Sequence, residues 1–354
     1  MSFQKNDLNG KTILVTGAAG FIGSNLVRRL LGEYSDCRIV GVDNLNDYYD
    51  VSLKEYRLKE IEKIPGGDRF TFFRLDISER EGMEELFRRE KFDFVVNLAA
   101  QAGVRYSIEN PDVYIKSNLI GFYNVLELCR HYPVEHLVYA SSSSVYGDNE
   151  KIPFSTDDMT DRPVSLYGAT KKSNELLAYS YAKLYGIPCT GLRFFTVYGP
   201  AGRPDMAYFG FTQKLLAGKT IEIFNYGNCK RDFTYVDDIV TGIVNVMCCP
   251  PKSEEQDGRK SAPATVYNIG NSSPENLLDF VNILQEELVA AELLPADYDF
   301  EAHRKLLPMQ PGDVPATFAD VSALERDFDF KPSTTLREGL HRFVQWYREY
   351  YQPK

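Results

Sequence analysis

Thr12-Ile13-Leu14-Val15-Thr16-Gly17-Ala18-Ala19-Gly20-Phe21-Ile22-Gly23 decides the fold. A short β-branched run over 11–16 stops at three glycines spaced G-x-x-G-x-x-G. Beyond them Phe21, Ile22, Leu26, Val27, Leu30 and Leu31 recur at helical spacing. Glycines between a strand and a helix permit a tight turn, close approach of backbone to a pyrophosphate, and close helix–strand packing. The helix start then turns unpaired N–H groups and a positive dipole end toward phosphate. Gly17, Gly20, Phe21, Ile22 and Gly23 are therefore expected to cradle a dinucleotide.

Outward from that stretch, apolar runs at 38–42, 70–75, 92–98, 136–140 and 189–194 alternate with helical patterns, notably 81–89 and 113–130. This alternation predicts an α/β fold, a Rossmann-type doubly wound parallel sheet with helices on both faces. The second run ends at Asp43, followed by Asn44. A carboxylate there accepts the ribose hydroxyls and repels a 2′-phosphate, so NAD is expected rather than NADP. Asp76 and Ile77 end the third run, where the adenine would lie. Leu98, Ala99 and Ala100 offer small residues for the pyrophosphate or nicotinamide ribose to cross.

Past Thr196 the texture changes, with glycine, proline and aromatics interleaved in Tyr198-Gly199-Pro200-Ala201-Gly202-Arg203-Pro204. The expected layout is a nucleotide domain over 1–195, which 236–270 rejoins, and a smaller C-terminal α/β substrate domain from 196–235 and 271–354. Residues 250–263 read as an exposed loop, and 277–294 and 336–350 as helices. A formal net charge of −10 gives no general attraction to nucleic acid or an anionic membrane. The polar N-terminus and the lack of a long apolar run predict a soluble, cytoplasmic protein. Six scattered cysteines and four histidines show no metal-ligand spacing, so reduced structural thiols and no metal are expected.

Tyr167-Gly168-Ala169-Thr170-Lys171 puts two side chains four residues apart on one helical face. A free tyrosine, with a pKa near ~10, is a poor base at neutral pH. A neighbouring ammonium and an oxidised nicotinamide would favour its phenolate, which could take a proton from an alcohol as hydride leaves the same carbon. Ser142, in a serine-rich strand end, could hydrogen-bond the reacting oxygen.

The glycine loop, the serine-rich strand end, Tyr167/Lys171 and Leu192-Arg193-Phe194-Phe195-Thr196 together resemble an extended short-chain dehydrogenase/reductase over nearly the whole chain. Within that family, residues 43–50 (DNLNDYYD), 199–207 (GPAGRPDMA) and Gln310-Pro311-Gly312-Asp313-Val314 resemble UDP-glucuronate 4-epimerases. That resemblance implies a UDP-sugar substrate contacted by Ser142, Ser143, Thr196, Phe224 and Asp313. It implies Arg203 facing a glucuronate carboxylate, Arg231 at the pyrophosphate, and Asn118 in the cofactor set. Where the usual pattern has tryptophan, this chain has Ala201. Relatives that decarboxylate or dehydrate carry acids just before Val-Tyr-Gly, where this chain has Ser143 and Ser144. A 4-keto intermediate is then expected to rotate and recover its hydride on the other face, giving UDP-galacturonate. Related enzymes pair the helices matching 113–130 and 173–184 into a homodimer.

Three rivals stand beside this reading. An epimerase of neutral or N-acetylated UDP-hexoses needs no carboxylate partner. A UDP-glucuronate decarboxylase should carry an acid at Ser144. A non-catalytic NAD-binding scaffold would not need Ser142, Tyr167 and Lys171 together.

Overall fold

A computed structural model describes residues 6–256, 259–309 and 316–351. Six strands run through its first half: β1 (Thr12–Thr16), β2 (Arg38–Asp43), β3 (Phe70–Arg74), β4 (Phe94–Asn97), β5 (His136–Ser142) and β6 (Cys189–Phe194). The helices among them are α1 (Phe21–Glu33), α2 (Val51–Glu62), α3 (Arg80–Glu90), the short α4 (Tyr106–Glu109) and α5 (Pro111–Tyr114), α6 (Gly121–His131) and α7 (Leu166–Tyr185).

The strands form one parallel sheet in the order β6-β5-β4-β1-β2-β3. From β1 the chain winds outward to β2 and β3, then crosses back to β4, β5 and β6. The reversal leaves a crevice between the carboxyl ends of β1 and β4, where such sheets bind ligands. Register brings those ends level, since Thr16 pairs with both Val42 and Asn97. Strands covered on both faces need apolar residues at every position, and β4 is accordingly buried throughout. Apolar clusters lie on each side of the sheet.

The chain then leaves the sheet. Strands β7 (Thr196–Tyr198), β8 (Ile221–Ile223) and β9 (Lys230–Tyr235) and helix α8 (Ala207–Leu216) begin a second lobe. Helix α9 (Val236–Met247) returns to pack on α1. A small hairpin, β10 (Glu255–Gln256) with β11 (Arg259–Lys260), leads into β12 (Ala264–Ile269), which joins the main sheet parallel to β6. The second lobe is completed by β13 (Pro274–Asn276), α10 (Leu277–Ala290), β14 (Arg304–Leu306), β15 (Ala316–Thr317) and α12 (Leu336–Tyr351). Its β9 pairs with β7, β13 and β15, and Phe233 stacks on Phe280 at 4.6 Å. Helix α11 (Ser322–Phe328) packs on β12 and α9 of the first lobe, with Phe328 edge-on to Tyr267.

Three elements differ from expectation. The helix expected over 113–130 is interrupted by a π turn, Ile115–Ile120, between α5 and α6. The turn rotates Asn118 inward against Gln101. The helix expected over 277–294 ends at Ala290, because Glu292 takes a positive φ of 59° and the N–H groups of Leu293 and Leu294 fold back onto the Leu288 carbonyl. The expected loop at 250–263 contains the β10–β11 hairpin. The expected sugar contact Asp313, with the rest of its Gln310–Val314 stretch, lies outside the described residues. All six cysteines are buried and reduced. Among the described residues, no helix is long and apolar enough to cross a membrane.

Candidate active site

The crevice at the strand ends opens into a cavity of about 250 Å³. Its first wall is the glycine loop, and space there is set by backbone. A Cβ on Gly23 would sit 2.1 Å from the Gly17 carbonyl oxygen, and one on Gly17, whose φ is +70°, 2.8 Å from the Ala99 nitrogen. Helix α1 starts at Gly20 with no side chain capping its first turn. Its leading N–H groups are thus left to a ligand. Gly17, Gly20, Phe21, Ile22 and Gly23 all line the cavity.

The next strand ends extend this wall. Asp43 lines the cavity and accepts a hydrogen bond from the Leu45 N–H at 2.9 Å, while Asn44 donates to Asp76 at 3.2 Å. Burial would raise the Asp76 carboxyl, but hydrogen bonds from Ser78 and Asn44 and the charge of Lys116 outweigh it and hold the group below its usual range. Ile77, Leu98, Ala99 and Ala100 complete this side. A tight glycine cradle with Asp43 at the end of β2 fits an adenine dinucleotide without a 2′-phosphate. Asn118 is not on the wall. It is buried behind it, accepting from the Gln101 N–H at 2.8 Å and donating to the Gln101 carbonyl and to Thr170, and so it fixes Gln101, which is on the wall.

Tyr167, Lys171 and Ser142 meet on the opposite wall. Ser165 caps α7 by accepting from the Gly168 N–H, so Tyr167 and Lys171 lie in its first turns. Burial pushes the Tyr167 hydroxyl up, and a hydrogen bond with Ser142 and the charge of Arg203 oppose that rise. The cation acting on the phenol is therefore Arg203 from the second lobe. Lys171 instead donates to the Ala140 carbonyl at 2.8 Å, and burial brings its own pKa down to about 8.

Arg203 lines the same cavity and is held at its Nε edge by Asp205, at 3.0 Å, with Tyr48 donating to the same carboxylate at 3.3 Å. The remaining expected sugar contacts are not in the cavity wall. Ser143 opens the turn that follows Ser142, Thr196 is paired in β7 with Phe233, and Phe224 lies under the Arg105 guanidinium at 5.6 Å. Arg231 sits in β9 opposite Glu275 and Thr317.

Behind Tyr167, Lys171 and Ser142 runs a buried polar network with no signal in the local sequence. Glu175, one turn beyond Lys171, receives Arg193 through two hydrogen bonds of 2.8 and 2.9 Å and Ser141 at 2.7 Å. Arg193 also donates to the Tyr146 hydroxyl, which donates to Asn268. Burial would raise the Glu175 carboxyl, yet the Arg193 guanidinium holds it low. Tyr48, Tyr49, Lys54, Arg57, Gln101 and Asp205 were also given no role of their own. Of these, Arg57 had a readable signal, a cation between Leu53 and Ile61 on the buried face of α2.

Residues 13–270 match the description "NAD dependent epimerase/dehydratase family". The chain is 51% identical over 349 residues to Protein CapI of Staphylococcus aureus, covering 96% of this chain and 99% of that one. It is 47% identical over 350 residues to UDP-glucuronate 4-epimerase 4 of Arabidopsis thaliana, covering 97% of this chain and 76% of that protein. The crystal structure of UDP-glucuronic acid 4-epimerase from Bacillus cereus, in complex with UDP-glucuronic acid and NAD, superposes with a TM-score of 0.81. It is 33% identical, covering 96% of this chain and 99% of that one.

Removing one member of a buried ion pair strands the other charge. Arg193→Met is expected to cost about 3–5 kcal/mol of stability, read by urea denaturation. A loss below about 1 kcal/mol, the range of exposed pairs, would mean the network is solvated.

Proposed function

The chain belongs to the NAD dependent epimerase/dehydratase family, and on that premise we propose that it is a UDP-glucuronate 4-epimerase, interconverting UDP-glucuronate and UDP-galacturonate. The observation that carries the reading is a cation in the same cavity as the base: Arg203 and Tyr167 both line it. A uronate carries its carboxylate on the carbon next to C4, so a base at the 4-hydroxyl and a guanidinium at the carboxylate must be neighbours.

NAD, when bound, supplies reversible hydride transfer at C4. The glycine loop and Asp43 would hold it. Tyr167, in its phenolate form, takes the 4-hydroxyl proton and later returns it. Ser142 hydrogen-bonds the same oxygen and keeps it in line with Tyr167. Lys171 adds positive charge beneath the site, and Arg203 lowers the cost of the phenolate.

The 4-keto sugar is a β-keto acid, prone to lose carbon dioxide. Ser143 and Ser144 provide no acid for elimination chemistry at the strand end. Arg203, with its Nε edge fixed by Asp205, keeps its outer edge for the carboxylate, and a charge-assisted pair there opposes conversion to neutral carbon dioxide. The keto sugar is thus left to turn over and be reduced on its other face.

The same reading makes the enzyme a cytoplasmic homodimer. Support for the dimer comes from exposed apolar side chains on the π turn, α6 and α7: Ile120, Tyr123 and Leu176 are open to solvent around one shallow depression, and Leu184 is exposed further along α7. Light scattering should give twice the chain mass, and a monomer at micromolar concentration would exclude it.

Mass spectrometry of UDP-glucuronate incubations tests the reaction. An epimer keeps the mass, a decarboxylase loses carbon dioxide, and an enzyme for neutral sugars leaves the substrate unchanged. Arg203→Ala should cut kcat/KM for UDP-glucuronate by about a hundredfold, and unchanged activity would remove Arg203 from the site. The pH profile gives a separate check. Because burial lowers Lys171 to about 8, its ammonium is present below that pH and lost above it. Activity should fall on the alkaline side with an apparent pKa near 8. Lys171→Arg, which keeps its charge, should abolish that limb while lowering the rate. A profile flat to pH 10 would rule out the need for the ammonium.

A further inference from the structure

Helix α2 presents Leu53, Arg57 and Ile61 on one buried face. An arginine in the middle of such a stripe must have its five N–H donors met inside the protein. Arg57 is only 2% exposed, and its guanidinium joins two loops far apart in the chain. One Nη donates to the Ala19 carbonyl of the glycine loop at 3.0 Å and to the Tyr49 hydroxyl at 2.7 Å. Its Nε donates to the Ala201 carbonyl at 2.8 Å, and the other Nη to the Gly202 carbonyl at 3.0 Å. The two residues it grips immediately precede Arg203.

We propose that Arg57 is a positioning residue for Arg203, fixing loop 199–206 against the glycine loop so that the Arg203 guanidinium stands where a uronate carboxylate must lie. The inference rests on the UDP-glucuronate reading and extends it to a residue outside the cavity wall.

Three features single out Arg57. Its planar fork serves carbonyls on both sides, which a lysine ammonium on a flexible stem does not reproduce. Ala201 takes a φ of +52° and Gly202 has no room for a Cβ, which would meet the Tyr208 hydroxyl. The loop therefore holds a strained conformation that needs outside support. A second tie comes from the same segment of chain, where Tyr48 donates to Asp205, the partner of Arg203. The stretch between Asp43 and the end of α2 thus touches both the cofactor loop and the arm that bears Arg203.

An arginine that only cemented the fold would lower stability and the active fraction. It would leave KM unchanged and would not distinguish an acidic sugar from a neutral one. A positioning residue acts on the carboxylate alone.

The test compares wild type, Arg57→Lys and Tyr49→Phe in the full chain. It measures melting temperature, KM and kcat for UDP-glucuronate, and the inhibition constant of UDP-glucose, which lacks the carboxylate. Arg57→Lys should raise KM for UDP-glucuronate by about ten- to a hundredfold and leave the UDP-glucose inhibition constant within about twofold. Tyr49→Phe, which removes one acceptor from the guanidinium and preserves the ring, should move KM the same way by a few-fold. It carries the test if Arg57→Lys does not fold. Equal shifts for both sugars, or an unchanged KM in the variants that fold, overturn the positioning role. Failure of wild type to convert UDP-glucuronate overturns the underlying reading instead, so the two failures are told apart.

Discussion

The site depends on one buried ion pair, Glu175 with Arg193. It lies behind the strand ends, where α7, β5, β6 and the turn after Ser142 converge. Tyr167 and Lys171 ride on α7, Ser142 on the end of β5, and nothing in the parallel sheet itself sets the distance between them. Two hydrogen bonds from Arg193 and one from Ser141 lock the helix to the strand ends. A desolvated pair of this kind adds little net stability over an apolar contact, but it admits few alternative arrangements. That trade suits a place where geometry matters more than free energy.

The second constraint is the union of two lobes around one cavity. The sheet lobe carries the glycine loop with Ser142, Tyr167 and Lys171, and the second lobe supplies Arg203. The guanidinium reaches Tyr167 electrostatically although the two sit in different lobes. On the proposed function, selectivity for a charged sugar and activation of the base would be coupled through a single side chain. An acidic protein has no general attraction for a nucleotide sugar, so on the proposed function recognition would rest on such local cations.

Much of this was legible in the chain. The β-branched run ending at Gly17, the helical spacing after Gly23 and the acid closing the next strand are local signals, and local backbone chemistry produces them. Tyr167 and Lys171 were legible for the same reason, since one helix presents both. What escaped depends on contacts between segments distant in sequence. The π turn at Ile115–Ile120 has no composition of its own, and it buries Asn118 behind the wall. Ser143, Thr196, Phe224 and Arg231 have expected roles through resemblance to a motif alone, and the strand and ring partners of the last three are tertiary facts. Glu175 and Arg193 lay in plain view, but nothing short of the folded sheet pairs them. Arg57 left a trace in its apolar stripe, though the trace says only that partners exist.

In the proposed reaction, hydrogen leaves C4 of UDP-glucuronate and returns to the same carbon from the other side. Its most direct test uses UDP-glucuronate carrying deuterium at C4, incubated in ordinary water, with the product examined by NMR and mass spectrometry. The expected product is UDP-galacturonate that retains the deuterium at C4. Deuterium lost to solvent, or a labelled product lacking its carboxylate, would contradict it.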